Sequence, residues 1–169
     1  MTSNIASGSM ILTREGARRK LRRMAFQIAE NNEGEAALVI AGIAGNGTLI
    51  AEKLVAELQQ VSPVPVHLIT VQIDKKELLD AAVRPEGDWN NAVIILVDDV
   101  SNTGKTLLYA LKPFLTAKPK KIQTLVLVER SHKLFSIQPD YVGLSINTTL
   151  QEHISVQVKE GEIEGAWLH

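Results

Sequence analysis

Ala17, Leu21, Met24, Ala25 and Ile28 recur three and four residues apart, the spacing that aligns side chains on one face of a helix. Thr13 precedes them as a candidate N-cap, and Asn31-Asn32 with Gly34 supplies a stop, so the pattern predicts a helix starting at Thr13. The period then changes. Ala37-Leu38-Val39-Ile40-Ala41 is apolar at every position, which predicts a strand covered on both faces, as in a parallel sheet. A Gly-rich turn runs from Gly42 to Gly47, and Leu49, Leu54, Val55 and Leu58 predict a helix that stops before Pro63 and Pro65. Val66 to Ile73 has the composition of a strand. Asp74 to Asn91 is polar, carries Pro85 and Gly87, and is long enough for a functional loop, with helical tendency over Lys75 to Val83. Val93 to Val97 predicts a fully buried strand, Thr106 to Leu115 a helix, and Ile122 to Val128 another strand. Short β segments follow at Tyr141–Ser145, His153–Val158 and Glu162–Leu168.

This order of strands and helices predicts an α/β fold with an open parallel sheet flanked by helices. Residues 1–9 read as a flexible segment and residues 10–169 as a single domain. Composition agrees: 169 residues suit one domain, and 45% hydrophobic with 22% charged residues excludes a disordered chain or a fibre. The absence of cysteine excludes disulfides, thiolate zinc sites and a thiol nucleophile. The net charge of −1 gives no global basic field, although Arg14, Arg18, Arg19, Lys20, Arg22 and Arg23 crowd near one end and Glu152, Glu160, Glu162 and Glu164 near the other. No apolar run approaches the ~20 residues that span a bilayer, and the first ten residues lack a signal-peptide pattern, so a cytoplasmic protein with no membrane contact is expected.

Candidate chemistry concentrates in Ile94 to Thr106. A buried strand delivers Asp98 and Asp99 to its C-terminal end, the edge at which open α/β sheets bind ligands. A turn of small and hydroxylated residues then enters a helix. Its backbone N–H groups, the hydroxyls of Ser101, Thr103 and Thr106, and the charge of Lys105 make an anion cradle. Carboxylates that bind hydroxyls beside a phosphate cradle suit a ribose 5-phosphate. Two other phosphate motifs fail: a Walker A loop ending in Thr103-Gly104-Lys105-Thr106 requires glycine where Asp99 stands, and a dinucleotide fingerprint starting at Gly45 requires glycine where Ile50 stands. His67 reads as a packed or half-exposed strand residue, His153 and His169 lack partners at metal-ligand spacing, and Trp89 and Trp167 read as packing residues.

Residues 94–106 resemble the phosphoribosyl-pyrophosphate signature of type I phosphoribosyltransferases: aliphatic residues, two acids, a short turn, then Thr-Gly and a hydroxyl residue. The likeness covers most of Met10 to Val158. Ala37 to Leu54, and Leu127 to Lys133 with Asp140-Tyr141-Val142-Gly143, are similar to the uracil phosphoribosyltransferase and pyrimidine-operon attenuator family. The resemblance implies a type I phosphoribosyltransferase-like open sheet with a small hood from the chain ends, acting as a homo-oligomer. It implies phosphoribosyl transfer from phosphoribosyl pyrophosphate to a pyrimidine base, uracil, giving nucleoside monophosphate and pyrophosphate, with Mg2+ as cofactor. Asp98 and Asp99 would bind the ribose hydroxyls and the magnesium ion, and Ser101, Asn102, Thr103, Gly104, Lys105 and Thr106 the 5-phosphate. Ala44, Gly45, Asn46 and Gly47 would form the pyrophosphate loop, Lys75 would serve in the flexible loop from Val71 to Leu78, and Glu129 and Arg130, with the backbone of Tyr141 and Val142, would border the base.

The sequence departs from that pattern where charge matters. Ala44 and Asn46 replace basic residues of the pyrophosphate loop, and losing a charge-assisted contact costs about 1.5–3 kcal/mol. Lys105 replaces an arginine and gives a point charge without a two-pronged grip. Asp74–Asn91 is shorter than the family's loop region. A second class of function is an RNA-binding regulator of pyrimidine genes, with Arg18, Arg19, Arg22 and Arg23 as phosphate contacts. Against it, Gln138 and Leu144 stand where the family tends to be basic, and Phe26 where histidine is common. A third is a non-catalytic nucleotide-sensing relative.

Overall fold

The computed structural model describes residues 8–74 and 76–169; Lys75, expected to act in the flexible loop, lies outside the described residues. Two strands form the centre, β2 (Leu38–Ile43), buried throughout, and β5 (Val93–Ser101), buried up to Asp98. Their side chains have no solvent face to occupy, which is why the sequence there is continuously apolar. Around them lie β3 (Val66–Ile73), β4 (Ala81–Arg84), β6 (Lys121–Arg130) and β7 (Tyr141–Ile146), giving the sheet order β4-β3-β2-β5-β6-β7. All neighbours are parallel except β4, which pairs antiparallel with β3.

One face carries α1 (Arg14–Asn31) and α2 (Asn46–Val61), and the other carries α3 (Lys105–Ala110) and α4 (Lys112–Leu115). The α1 stripe is the one the spacing predicts: Ala17, Leu21, Met24, Ala25 and Ile28 are its buried residues. The Thr13 hydroxyl accepts from the Gly16 N–H at 3.0 Å, closing the N-terminus, and the Asn32 amide donates to the Ile28 carbonyl at 2.8 Å beyond the C-terminus. A hood of β1 (Ser9–Thr13), β9 (Glu162–Leu168) and β8 (Ile154–Lys159) forms a separate antiparallel sheet from the two ends of the chain. Leu12, Ile154, Val156, Ile163 and Ala166 join it to the core beneath α1 and α2.

Several elements differ from expectation. The hood strand β1 includes Ser9, which pairs with Leu168. Gly42 belongs to β2 and Asn46-Gly47 to α2, so only Ala44 and Gly45 make the turn. No helix forms over the described residues of 75–83; Leu78 is buried and Ala81–Arg84 is strand, with Val83 turned onto the core. The helix predicted over Thr106–Leu115 is two short helices separated at Leu111, because Pro113 has no N–H to donate and its ring excludes a carbonyl one turn back. Trp89 packs edge-to-face on Phe114 with ring centroids 5.8 Å apart, in the core role expected of it.

Candidate functional site

β5 runs on past its apolar stretch, so Asp98 and Asp99 sit within a strand and point to opposite faces of the sheet. Asp98 is buried, and its Oδ1 accepts the Asp99 N–H at 2.9 Å. Asp99 is held at both oxygens: Oδ1 accepts the Val100 N–H at 2.8 Å and Oδ2 accepts the Asn46 amide at 3.0 Å. The start of α2 reaches this strand because Gly47 has no side chain. A Cβ there would lie 2.9 Å from the Val97 carbonyl oxygen and 3.1 Å from Asp98 Oδ1. Gly45, with φ of 100°, turns the chain from β2 into that helix.

Beyond Asp99 the chain makes a small cradle. Residues from Val100 to Leu107 enclose a cavity of ≈ 70 Å³, room for a phosphate-sized group. Gly104 adopts the left-handed conformation at φ 86°, and a Cβ on it would meet Ile137 Cγ2 at 2.8 Å. The Lys105 N–H donates to the Thr103 hydroxyl at 3.2 Å. Ser101 Oγ and Asn102 Oδ1 are buried and meet no hydrogen-bond partner among the described residues. Buried polar atoms normally have one, so this cradle is incomplete without a ligand or water.

A second crevice, of ≈ 650 Å³, adjoins the cradle; Glu129, Lys133, Phe135, Ile137, Gln138 and Ser145 are among its lining residues. The Leu134 and Phe135 N–H groups donate to the Thr103 carbonyl at 3.1 Å, tying its wall to the cradle. Lys133 Nζ lies 2.5 Å from Glu129 Oε2, with only 12% and 9% of the two side chains exposed, and the Ser145 hydroxyl donates to Glu129 Oε1 at 3.1 Å. A buried carboxylate and ammonium side by side present one acceptor and one donor to whatever enters.

The chain matches the family model of the phosphoribosyl transferase domain over residues 7–161. The chain belongs to the phosphoribosyl transferase family. It is 33% identical over 162 residues to the bifunctional protein PyrR of Pelotomaculum thermopropionicum, with 90% of each chain covered. It is 36% identical over 155 residues to the PyrR of Latilactobacillus sakei, covering 85% of this chain and 87% of that one. In fold it resembles a mutant hypoxanthine phosphoribosyltransferase of Trypanosoma cruzi in its ternary substrates complex, with a TM-score of 0.78, 17% identity and 96% of each chain covered.

Within this phosphoribosyltransferase fold, Asp98, Asp99, residues 101–106, the Ala44-Gly45 turn with the first residues of α2, and Glu129 come together at the carboxyl end of the sheet. Arg130 lies beside Glu129 but is spent on the loop after β7, donating to Thr148 Oγ1 at 2.6 Å and to the Thr149 carbonyl at 2.7 Å. Tyr141 and Val142 are not in the crevice. The Tyr141 hydroxyl donates to Gln123 Oε1 at 2.9 Å and accepts from the Asn31 amide at 3.0 Å beneath α1, and the Val142 carbonyl accepts from Arg23 at 2.9 Å. They sit at the start of β7, whereas the crevice lies past its middle, at Ser145. Lys133 and Ser145, which line the crevice, carried no sequence signal for a base site. Glu129 and Lys133 are four residues apart, but the chain leaves β6 between them, so no regular period joins them.

Another crevice, of ≈ 640 Å³, opens between α1, α2 and β9, away from the acid pair. Its charges largely satisfy one another: Glu162 takes Lys53 at 2.5 Å and Arg14 at 3.8 Å, while Arg14 also reaches Glu164 at 3.5 Å. Lys53 beside it holds the Glu162 carboxyl below the usual range. Of the four arginines that the RNA-binding alternative would use, Arg19 pairs with Glu15 at 2.8 Å and Arg22 with Glu57 at 2.9 Å. Arg23 donates to the Val142 and Gly143 carbonyls, and Arg18 lines the crevice. No helix among the described residues is long and apolar enough to cross a membrane.

Proposed function

We propose that this chain transfers the 5-phosphoribosyl group of phosphoribosyl pyrophosphate to uracil in the cytoplasm, releasing pyrophosphate and uridine monophosphate. One observation carries the reading: the acid pair stands beside a phosphate-sized cradle whose buried Ser101 Oγ meets no partner among the described residues. A ribose 5-phosphate has hydroxyls for the carboxylates and an anion for the cradle, at opposite ends of one sugar.

Asp98 and Asp99 suit magnesium as well. They supply hard oxygen donors, and no cluster of three metal-ligating side chains exists among the described residues. A site of one or two carboxylates, completed by water and substrate phosphates, is the usual protein contribution to this ion. When bound, magnesium supplies charge neutralisation for the departing pyrophosphate.

The residues of the chain do the rest by position. The carboxylates orient the ribose, and residues 101–106 fix its phosphate end. The lactam edge of uracil, an N–H beside a C=O, complements the Glu129 acceptor and the Lys133 donor. With the base so held, its N1 lone pair forms the bond to the anomeric carbon. The bond from that carbon to the pyrophosphate oxygen breaks, its electron pair stays on the pyrophosphate, and the N1 proton passes to the released pyrophosphate or to water. Backbone N–H groups at the start of α2 face the leaving group, where Ala44 and Asn46 provide no positive charge.

The test is the double variant Asp98→Asn with Asp99→Asn. Calorimetry should show loss of magnesium-dependent binding of phosphoribosyl pyrophosphate while circular dichroism stays native. Wild-type affinity in the variant would overturn the assignment, and absence of uracil-dependent monophosphate formation by the wild type would overturn the reaction.

A further inference from the structure

We infer that Asn46 is a positioning residue, whose side-chain amide aims the Asp99 carboxylate and seats the hood on the crevice instead of contacting the pyrophosphate. The inference deepens the proposed function and rests on it for its catalytic consequence, but not for its structural one.

A primary amide has two N–H donors. Asn46 spends both, one on Asp99 Oδ2 at 3.0 Å and one on the Val156 carbonyl at 3.0 Å. Its remaining polar atom is an acceptor, which cannot hydrogen-bond a phosphate oxygen. So the side chain that stands in a phosphate-binding loop has, in this arrangement, no donor left for a phosphate.

It is well placed to join three elements. Its backbone is the first residue of α2, fixed by the helix. Asp99 belongs to β5, and its other oxygen is already held by the Val100 N–H. Val156 lies in β8, where pairing with Ala166 and burial of its own side chain fix the carbonyl. The amide therefore sets the direction of a carboxylate before substrate arrives, and the same group docks a separate sheet. Pre-set polar groups need no reorganisation in the reaction, which is how positioning contributes to rate. Whatever draws Asp99 toward a ribose or a metal also pulls on the hood.

Residue type makes the idea testable. Alanine removes both bonds. Aspartate is isosteric, has no N–H, and places a second carboxylate against Asp99. Arginine restores positive charge to the loop but is too long to hold the short bridge. The full-length protein is compared with Asn46→Ala, Asn46→Asp and Asn46→Arg by hydrogen–deuterium exchange without ligand, and by kcat and KM for phosphoribosyl pyrophosphate with uracil and magnesium.

A bridge predicts faster exchange over residues 154–159 and 162–168 in all three variants, with β5 and β6 unchanged. It also predicts kcat/KM lowered about tenfold or more in Asn46→Ala, the scale of one hydrogen bond to a charged group, and no recovery in Asn46→Arg. A pyrophosphate contact predicts the reverse, a KM in Asn46→Arg at or below that of wild type and hood exchange at the wild-type rate in Asn46→Ala; either result overturns the inference. Should Asn46→Ala not fold, the isosteric Asn46→Asp carries the exchange comparison. If the wild type transfers nothing to uracil, the proposed function fails, and the exchange rates still decide whether Asn46 holds the hood.

Discussion

Gly47→Ala adds one methyl group at the most crowded point of the site. Its Cβ would lie 2.9 Å from the Val97 carbonyl oxygen, 3.1 Å from Asp98 Oδ1 and 3.3 Å from Asp98 Cα. Two of those atoms are backbone of a central strand, so the helix start has to move. Alanine also favours helix over glycine by up to about 1 kcal/mol, a gain that opposes the clash. Forcing a methyl into a packed interior costs about 1–3 kcal/mol, and here the crowding is against backbone, so the clash wins. A net cost of about 1–2 kcal/mol lowers Tm by roughly 2–8 °C in a chain of this size. Retreat of α2 also carries Asn46 away from Asp99, so affinity for phosphoribosyl pyrophosphate with magnesium should fall along with stability. Thermal unfolding and calorimetric titration on the same sample measure both. A Tm at or above wild type, with donor affinity unchanged, would show that the helix start is not held against the acid strand and would refute the reasoning.

Removing one partner of the buried Glu129–Lys133 pair strands the other charge. Lys133→Met should cost about 3 kcal/mol in urea unfolding, and adding Glu129→Gln should give part of that back. Strict additivity of the two losses would mean that the pair is not coupled. Burial, opposed by hydrogen bonding with the Asn31, Asn32 and Gln123 side chains and reinforced by Asp140, raises the Tyr141 phenol above its ordinary 10.0. An acid whose folded pKa is raised favours the folded state below its unfolded pKa, and that contribution is lost as pH rises through the folded value. Tm should therefore decline above about pH 10, and less steeply in Tyr141→Phe; parallel pH profiles for the two proteins would contradict this.

Legibility followed the range of the interactions involved. The α1 stripe and the buried runs at Leu38–Ala41 and Val93–Val97 are readable because burial imposes a period, or its absence, within a few residues. The acid pair and the cradle were readable because one short segment, Asp98 to Thr106, supplies most of both. β1 was not fully readable: Ser9 is a strand residue because Leu168 pairs with it across the whole chain. The role of Asn46 needed Asp99 and Val156, 53 and 110 residues away. The motif around Tyr141 carries no information on where its ring goes; only the face and level of its strand set the hydroxyl between Asn31 and Gln123. The break at Leu111 is different, since Pro113 announced it and the apolar spacing of Leu107 and Leu111 masked it.

The arginines of α1 decide what an RNA contact on this face would look like. Exposed ion pairs contribute little, so Arg19 and Arg22 can exchange Glu15 and Glu57 for phosphates at small cost. Arg23 differs, because its guanidinium donates to two main-chain carbonyls, Val142 and Gly143, and so fastens α1 to the edge strand β7. Leaving them for a phosphate would break that tie. Each phosphate contact to single-stranded RNA contributes about −0.7 to the slope of log affinity against log salt. Arg18, Arg19 and Arg22 together would give about −2.1 on that scale, and a fourth contact about −2.8. Arg18→Ala should therefore flatten the slope by about 0.7 with Tm unchanged, whereas Arg23→Ala should lower Tm and leave the slope alone. Filter binding of a pyrimidine-operon leader RNA across a salt series separates these outcomes. An Arg23→Ala protein with wild-type Tm and a flattened slope would show that this side chain serves the nucleic acid instead of the fold.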